Sequence, residues 1–274
     1  MKTKKITIQP SKGWVSINFK ELWEYRELLY FLIWRDIKVR YKQTVLGALW
    51  AILQPLLTMI VFSLIFGQLA KLPSDDIAYP IFTFTALLPW QLFAYAISQS
   101  GNSLIANQNL ITKVYFPRLI IPMSAALSGL VDFGISFLVL LTMMIFYHIP
   151  LTSKMLVLPL FIILAIMTAF AVGLWLSALN VKYRDVRYTI PFLTQLWFFI
   201  TPVAYTNSLI PDRWRILYAL NPMVGVVEGF RWSLLGKSSA LGLSFWISVL
   251  MVIIFLVTGL FYFRRLEKSF ADIV

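Results

Sequence analysis

The sequence predicts an all-α membrane protein of six transmembrane helices, with an N-terminal cytoplasmic amphipathic interface helix and an external re-entrant helical pair between the fifth and sixth spans. Three observations predict it. Of 274 residues, 59% are hydrophobic and only 13% charged, with a mean hydropathy of +0.78, whereas soluble chains carry roughly 25% charged residues. Uncharged runs recur along the chain, most of them near the roughly 20 residues that cross about 30 Å of hydrocarbon. The basic residues are also distributed unevenly between the segments that join those runs, as the positive-inside bias requires.

Residues 1–42 form a cytoplasmic tail and interface helix, and 43–274 the membrane domain. The first twenty residues hold Lys2, Lys4, Lys5, Lys12 and Lys20 without a following apolar core, so they read as a basic tail and not as a cleavable signal peptide. Over 19–41, Phe19, Leu22, Trp23, Leu29, Tyr30, Ile33 and Ile37 recur at helical spacing, opposite Lys20, Glu21, Glu24, Glu27, Arg35 and Lys38. Such a helix lies on the cytoplasmic leaflet with its apolar side in the acyl boundary, or packs on another protein surface.

The first span is expected within 43–70. The run 77–112 is too long for one helix and turns polar at Ser98, so 79–97 is expected to span and 98–117 to leave the bilayer. The third span falls in 119–147, interrupted only by Asp132, and the remaining three in 155–181, 188–211 and 238–263. Between the last two, the uncharged stretch 216–227 is only twelve residues long, is flanked by Arg213, Arg215, Glu228 and Arg231, and is broken at Asn221 and Pro222. It suits a re-entrant helical pair or an external amphipathic loop. Eighteen of the 24 Lys and Arg residues lie in the N-terminal tail, the segments 98–118 and 182–187, and the C-terminus. With an even number of spans, that bias puts both termini in the cytoplasm.

The chemistry is defined as much by what is missing. Without cysteine there are no disulfides, thiolate metal sites or thiol nucleophiles. The net charge of +12 sits beside apolar spans, where anionic headgroups account for it, so no nucleic acid is expected. The sole histidine, His148, sits beside Pro150 with no carboxylate near it in sequence. There is no Walker-type phosphate loop, HExxH helix or GxSxG elbow. The chain is therefore expected to be no enzyme and to hold no catalytic residue, metal or cofactor of its own.

Only Asp132 lies well inside an expected span, and one acid makes a poor ion relay. It is either a structural hydrogen-bonding group or a substrate or gating residue. A transporter without energy-coupling residues implies an external engine. Aromatic residues make up 16% of the chain and serve as interfacial belt residues or as rings that stack weakly and repeatedly on sugars along a path. Trp90, Phe93, Asp132, Phe198, Phe199, Tyr205, Glu228 and Arg231 are the channel or gate candidates.

Four strings carry a resemblance that covers nearly the whole chain: WRDIKVRYKQTVLGALWAILQP at 34–55, NQNLITKVYFPRLIIP at 107–122, LNVKYRDVRYTIPFLTQLWFFITPVAY at 179–205 and LNPMVGVVEGFRWSLLG at 220–236. In this order they resemble the membrane subunits of ABC-2 type polysaccharide exporters, which move O-antigen, capsule or teichoic acid. The resemblance implies a homodimeric permease in the bacterial inner membrane, docked on two copies of a separate ATPase that binds ATP and Mg. It places ATPase coupling at Gln99, Asn102, Asn107, Gln108, Asn109 and Lys113, and at Tyr183, Arg184 and Asp185; the bland alternative is a solvated loop. Arg35, Lys38, Arg40 and Lys42 would lie at headgroup depth. There they hold the pyrophosphate of a polyprenyl-linked glycan or anchor the chain to anionic lipid. O-antigen is the expected cargo, with teichoic acid, capsule, a small lipid or a drug as alternatives.

Overall fold

The computed structural model describes residues 19–42, 47–236, 242–267 and 270, and every regular element among them is helical. The lysines of the far N-terminal tail and the expected starts of the first and sixth spans, at 43 and 238, lie outside the described residues. Short helices α1 (Phe19–Glu24) and α2 (Arg26–Lys42) lead into α3 (Gly47–Phe62), which continues as a wider-wound turn over Ser63–Leu69. Then follow α4 (Tyr79–Ala106), α5 (Gln108–Lys113), α6 (Ile120–Ser128), α7 (Leu130–Phe146), α8 (Leu158–Lys182), α9 (Val186–Ile200), α10 (Asp212–Ala219), α11 (Pro222–Leu235) and α12 (Leu243–Glu267). Among the described residues, five helical stretches are long and apolar enough to cross a membrane: Leu49–Leu69, Tyr79–Ala106, Ile120–Phe146, Ser153–Lys182 and Leu243–Glu267.

Helix α4 is the central element. It packs against α3, α6, α7, α8, α9 and α11, and it buries Phe84, Phe93 and Ile97 completely or nearly so. One core gathers these residues with Phe161 and Phe230; a second, formed by Leu32, Leu104, Ile111, Phe116, Ile120 and Phe263, joins α2 and α5 to α6, α8 and α12. Where lipid replaces water there is little hydrophobic drive between helices, and close backbone approach takes its place. At Gly173 in α8 an added Cβ would lie 2.6 Å from the Ser100 Cβ, and at Gly259 in α12 only 2.7 Å from the Ala171 carbonyl oxygen.

Two expectations need correction, and one element is longer than its expected span. Helix α4 continues past Ile97 for 28 residues in all, to Ala106, with Ser100 and Ser103 paired and buried along it. Ser100 Oγ donates to the Pro122 carbonyl (2.9 Å), and Asn180 Nδ2 to the Gly101 carbonyl (2.9 Å). At 1.5 Å per residue it is about 42 Å long, some 12 Å more than the hydrocarbon.

The expected fifth span is cut short as well. Helix α9 has 15 residues, about 22 Å, and stops at Thr201, whose extended backbone (φ −96°, ψ 139°) is what the following Pro202 imposes.

The interface helix, finally, breaks after Glu24, and its apolar residues do not share one face. Leu22, Leu29 and Leu32 pack into the second core, mostly against α6. Trp23, Tyr30, Phe31 and Trp34 point outward.

Around Asn221 and Pro222 the chain forms two short helices, α10 and α11. Asn221 caps α11 by accepting from the Met223 amide (3.0 Å), Pro222 opens it, and Gly236 at φ 76° closes it in the left-handed conformation.

Candidate functional site

A cleft of about 760 Å³ opens between α3, α4, α7 and α9. Its walls set uncharged polar groups among apolar side chains such as Leu87, Phe133 and Ile190: Gln54 and Thr58 come from α3, Gln91, Tyr95, Ser98 and Gln99 from α4, Ser136 from α7, and Thr194 and Gln195 from α9. Such groups can meet hydroxyls and water without the desolvation cost that ionised side chains carry in a membrane. Trp90 and Phe198 form an aromatic side to it, with ring centroids 5.3 Å apart. Ser136 Oγ donates to the Ala51 carbonyl (2.7 Å), which fixes α7 to α3 across the cleft floor.

Among the described lining residues, the formal charges are those of one pair. Arg40, at the end of α2, places Nη2 2.5 Å from Asp132 Oδ2 on α7. The adjacent Tyr41 hydroxyl donates to the other carboxylate oxygen, Oδ1. The Arg40 guanidinium lies 4.5 Å from the centre of the Tyr95 ring, and the Tyr95 hydroxyl in turn meets Ser128 Oγ at 3.1 Å. Burial, reinforced by the Asp132 carboxylate, pushes the Tyr41 phenol upward, so it remains a donor. Asp132 is therefore not a solitary acid: it pairs with Arg40 and accepts from the Tyr41 hydroxyl.

A second cluster lies around the break after α9. Arg231, 4% exposed, donates from Nη2 to the Val203 carbonyl (2.9 Å) and from Nη1 to that of Tyr205 (3.2 Å). Its guanidinium sits 3.6 Å from the centre of the Phe82 ring and 3.9 Å from Glu228 Oε1. Tyr79 Oη donates to the Ala204 carbonyl (2.5 Å). Three consecutive carbonyls of non-helical backbone are thereby satisfied by side chains, which is the condition for irregular backbone away from water. Desolvation lowers the Arg231 pKa to about 10, opposed by Glu228. The Tyr205 and Tyr218 hydroxyls meet at 2.6 Å.

The remaining candidates separate by exposure. Phe93 is fully buried against Trp197 and is not among the residues that line this cleft, and Phe199 faces outward. Arg35 bonds its neighbour Asp36 (2.8 Å), and Lys38 and Lys42 are exposed, so of the four interfacial basic residues only Arg40 reaches the cleft. Asn102 and Asn107 turn inward onto the carbonyls of Ser98 and Ser103. Gln108, Asn109 and Lys113 are exposed on α5, as are Tyr183, Arg184 and Asp185 before α9, while Gln99 is exposed at the cleft rim. Val114 and Tyr115, both more than half exposed, extend the α5 surface. Gln54, Gln91 and Gln195 of the cleft were not anticipated. Their signal was polar side chains inside uncharged runs, which a search for charges alone passes over.

The chain is similar to proteins named O-antigen export system permease protein RfbA. It is 33% identical to that of Myxococcus xanthus over 214 residues (77% of this chain, 82% of that relative) and 32% identical to one from Klebsiella pneumoniae over 251 residues (90% and 95%). It is 26% identical over 239 residues, 87% of this chain and 93% of the relative, to the polysialic acid transport protein KpsM of Escherichia coli. The ABC-2 type transporter family matches residues 27–235, which include both clusters, the cleft and the exposed α5 surface. The chain therefore belongs to the ABC-2 type transporter family of membrane proteins.

Proposed function

We propose that the chain is the membrane subunit of an ATP-driven exporter that carries lipid-linked polysaccharide, O-antigen in the first instance, across the bacterial inner membrane. The observation that carries this reading is the cleft between α3, α4, α7 and α9: lined by hydrogen-bonding side chains, charged only at the Arg40–Asp132 pair among its described lining residues, and flanked by Trp90 and Phe198. A glycan needs such a surface, because its hydroxyls cannot enter hydrocarbon unpaired. Rings that hold sugars weakly let a polymer advance. The names of the relatives support the cargo class, and the polysialic acid transporter among them keeps a capsular polymer as the second reading.

In this reading α9 and the backbone of 201–206 together complete a sixth crossing, both termini are cytoplasmic, and α10 with α11 forms a re-entrant pair at the external end. Two copies enclose the path. Two copies of a separate ATPase, which bind ATP and Mg, dock on α5 and the turn before α9. ATP binding moves those segments and shifts the dimer between two states. Arg40 meets the phosphates of a polyprenyl-linked glycan at the inner mouth.

Co-expression with an ATP-binding cassette ATPase, followed by purification and by scoring surface polysaccharide in cells lacking the native permease, tests the reading. A stable complex that restores surface O-antigen supports it. Capsule restored in its place moves the assignment to the second cargo, and a complex that restores neither removes both.

A further inference from the structure

We propose that Asp132 makes Arg40 selective for a diphosphate-linked lipid over the monoanionic phospholipids around it. The inference rests on the reading of Arg40 as a contact for the carrier's phosphates and adds the means of discrimination. An arginine at headgroup depth attracts any anionic lipid, and in a bilayer the abundant ones carry a single charge on a phosphodiester. Asp132 already supplies one charge to Arg40, at 2.5 Å and held in place by α7. A phosphodiester that displaces it exchanges one anion for another and must also give up its own freedom. A diphosphate brings two charges and several unbridged oxygens to a planar fork that takes such groups bidentately.

Two further contacts make the exchange feasible. When Arg40 turns to a ligand, Asp132 keeps the Tyr41 hydroxyl on Oδ1, so the carboxylate is not left bare in a partly buried site. The Tyr95 ring, tied to Ser128, lies 4.5 Å from the guanidinium and keeps its plane at the cleft wall during the exchange. Arg40 itself is 39% exposed on its side chain, against 19% for Asp132, so the arginine is the member of the pair that a headgroup can reach.

Equilibrium binding to the purified permease–ATPase complex in nanodiscs tests this with three probes: a polyprenyl diphosphate, phosphatidylglycerol and inorganic pyrophosphate. The unaltered complex should favour the polyprenyl diphosphate over phosphatidylglycerol by about tenfold. Asp132→Asn should keep diphosphate binding and tighten phosphatidylglycerol, so that the ratio falls toward one, and Asp132→Glu should restore it. A ratio unchanged in Asp132→Asn overturns the proposal. So does inorganic pyrophosphate binding as tightly as the lipid, because the ligand would then not be a lipid. If the Asn variant does not assemble, Asp132→Ser must show the same fall in ratio or the proposal is lost. Arg40→Ala separates the two claims: diphosphate binding that survives it removes the contact reading altogether, whereas binding lost there with the ratio intact in Asp132→Asn removes only the selectivity.

Discussion

Removing the Arg231 guanidinium would strand the carbonyls of Val203 and Tyr205 and deprive Glu228 of its buried cation. Arg231→Met should therefore cost on the order of 3 kcal/mol and lower the thermal midpoint of the detergent-solubilised protein, while Arg231→Lys, with fewer donors in a less rigid arrangement, should fall between. Glu228 adds a pH signature. Burial pushes its carboxyl up, with Arg231 pulling it down and Asp75 adding to the rise. A raised carboxylate favours the folded state while protonated, so its contribution is present in mild acid and lost as pH rises through the raised value. The midpoint should fall from mildly acidic to neutral pH, and Glu228→Gln should flatten that slope. Arg40, Asp132, Glu228 and Arg231 were all legible as unusual charges beside or within apolar runs. Their pairings were not, because Arg40 meets Asp132 and Arg231 meets Val203 only after distant segments have packed together.

Among the elements, glycines distinguish packing from propensity. Gly259→Ala would force a Cβ to 2.7 Å from the backbone oxygen of Ala171, which cannot swing aside as a side chain can, whereas Gly134 has nothing within 4 Å of its added Cβ. Gly259→Ala should destabilise the α8–α12 pair, and Gly134→Ala should be neutral or gain up to about 1 kcal/mol from helix propensity; thermal midpoints measured side by side check both. The helices themselves were mostly readable from the sequence. Uncharged runs located the five long apolar helices, and Asn221–Pro222 announced the start of α11. One end was misread because an uncharged run was taken for an unbroken helix, and one helix runs longer than its expected span. The serines and Gly101 near the end of α4 are buried against α6, α8 and α9, so the helix continues through them. The uncharged run over 188–211 conceals the Thr201–Pro202 break, which is a backbone effect invisible to hydropathy.

At the scale of the molecule, the segments proposed to be cytoplasmic are bound to one another before any partner arrives. The second core joins α2 and α5 to α6, α8 and α12. Glu267 ties the end of α12 to the turn before α6 through the Arg118 amide (3.3 Å) and to Arg264 (2.7 Å). A push on α5 is thus carried into α2 and the long helices by packed contacts. Asn109→Asp and Tyr115→Asp, on the exposed face beside Lys113, should leave the chain folded but reduce the ATPase activity that the assembled complex shows in response to substrate, read as phosphate release. This surface was partly legible, since polar residues marked α5, whereas apolar Val114 and Tyr115 carry no sign of their exposure in sequence.

The central claim is that this chain supplies the passage and a separate ATPase supplies the power. Translocation of a fluorescently labelled lipid-linked glycan into sealed proteoliposomes, with and without the ATPase and ATP, tests it most directly. The account predicts accumulation against a gradient only when chain, ATPase and ATP are all present. Accumulation against a gradient driven by this chain alone would contradict it.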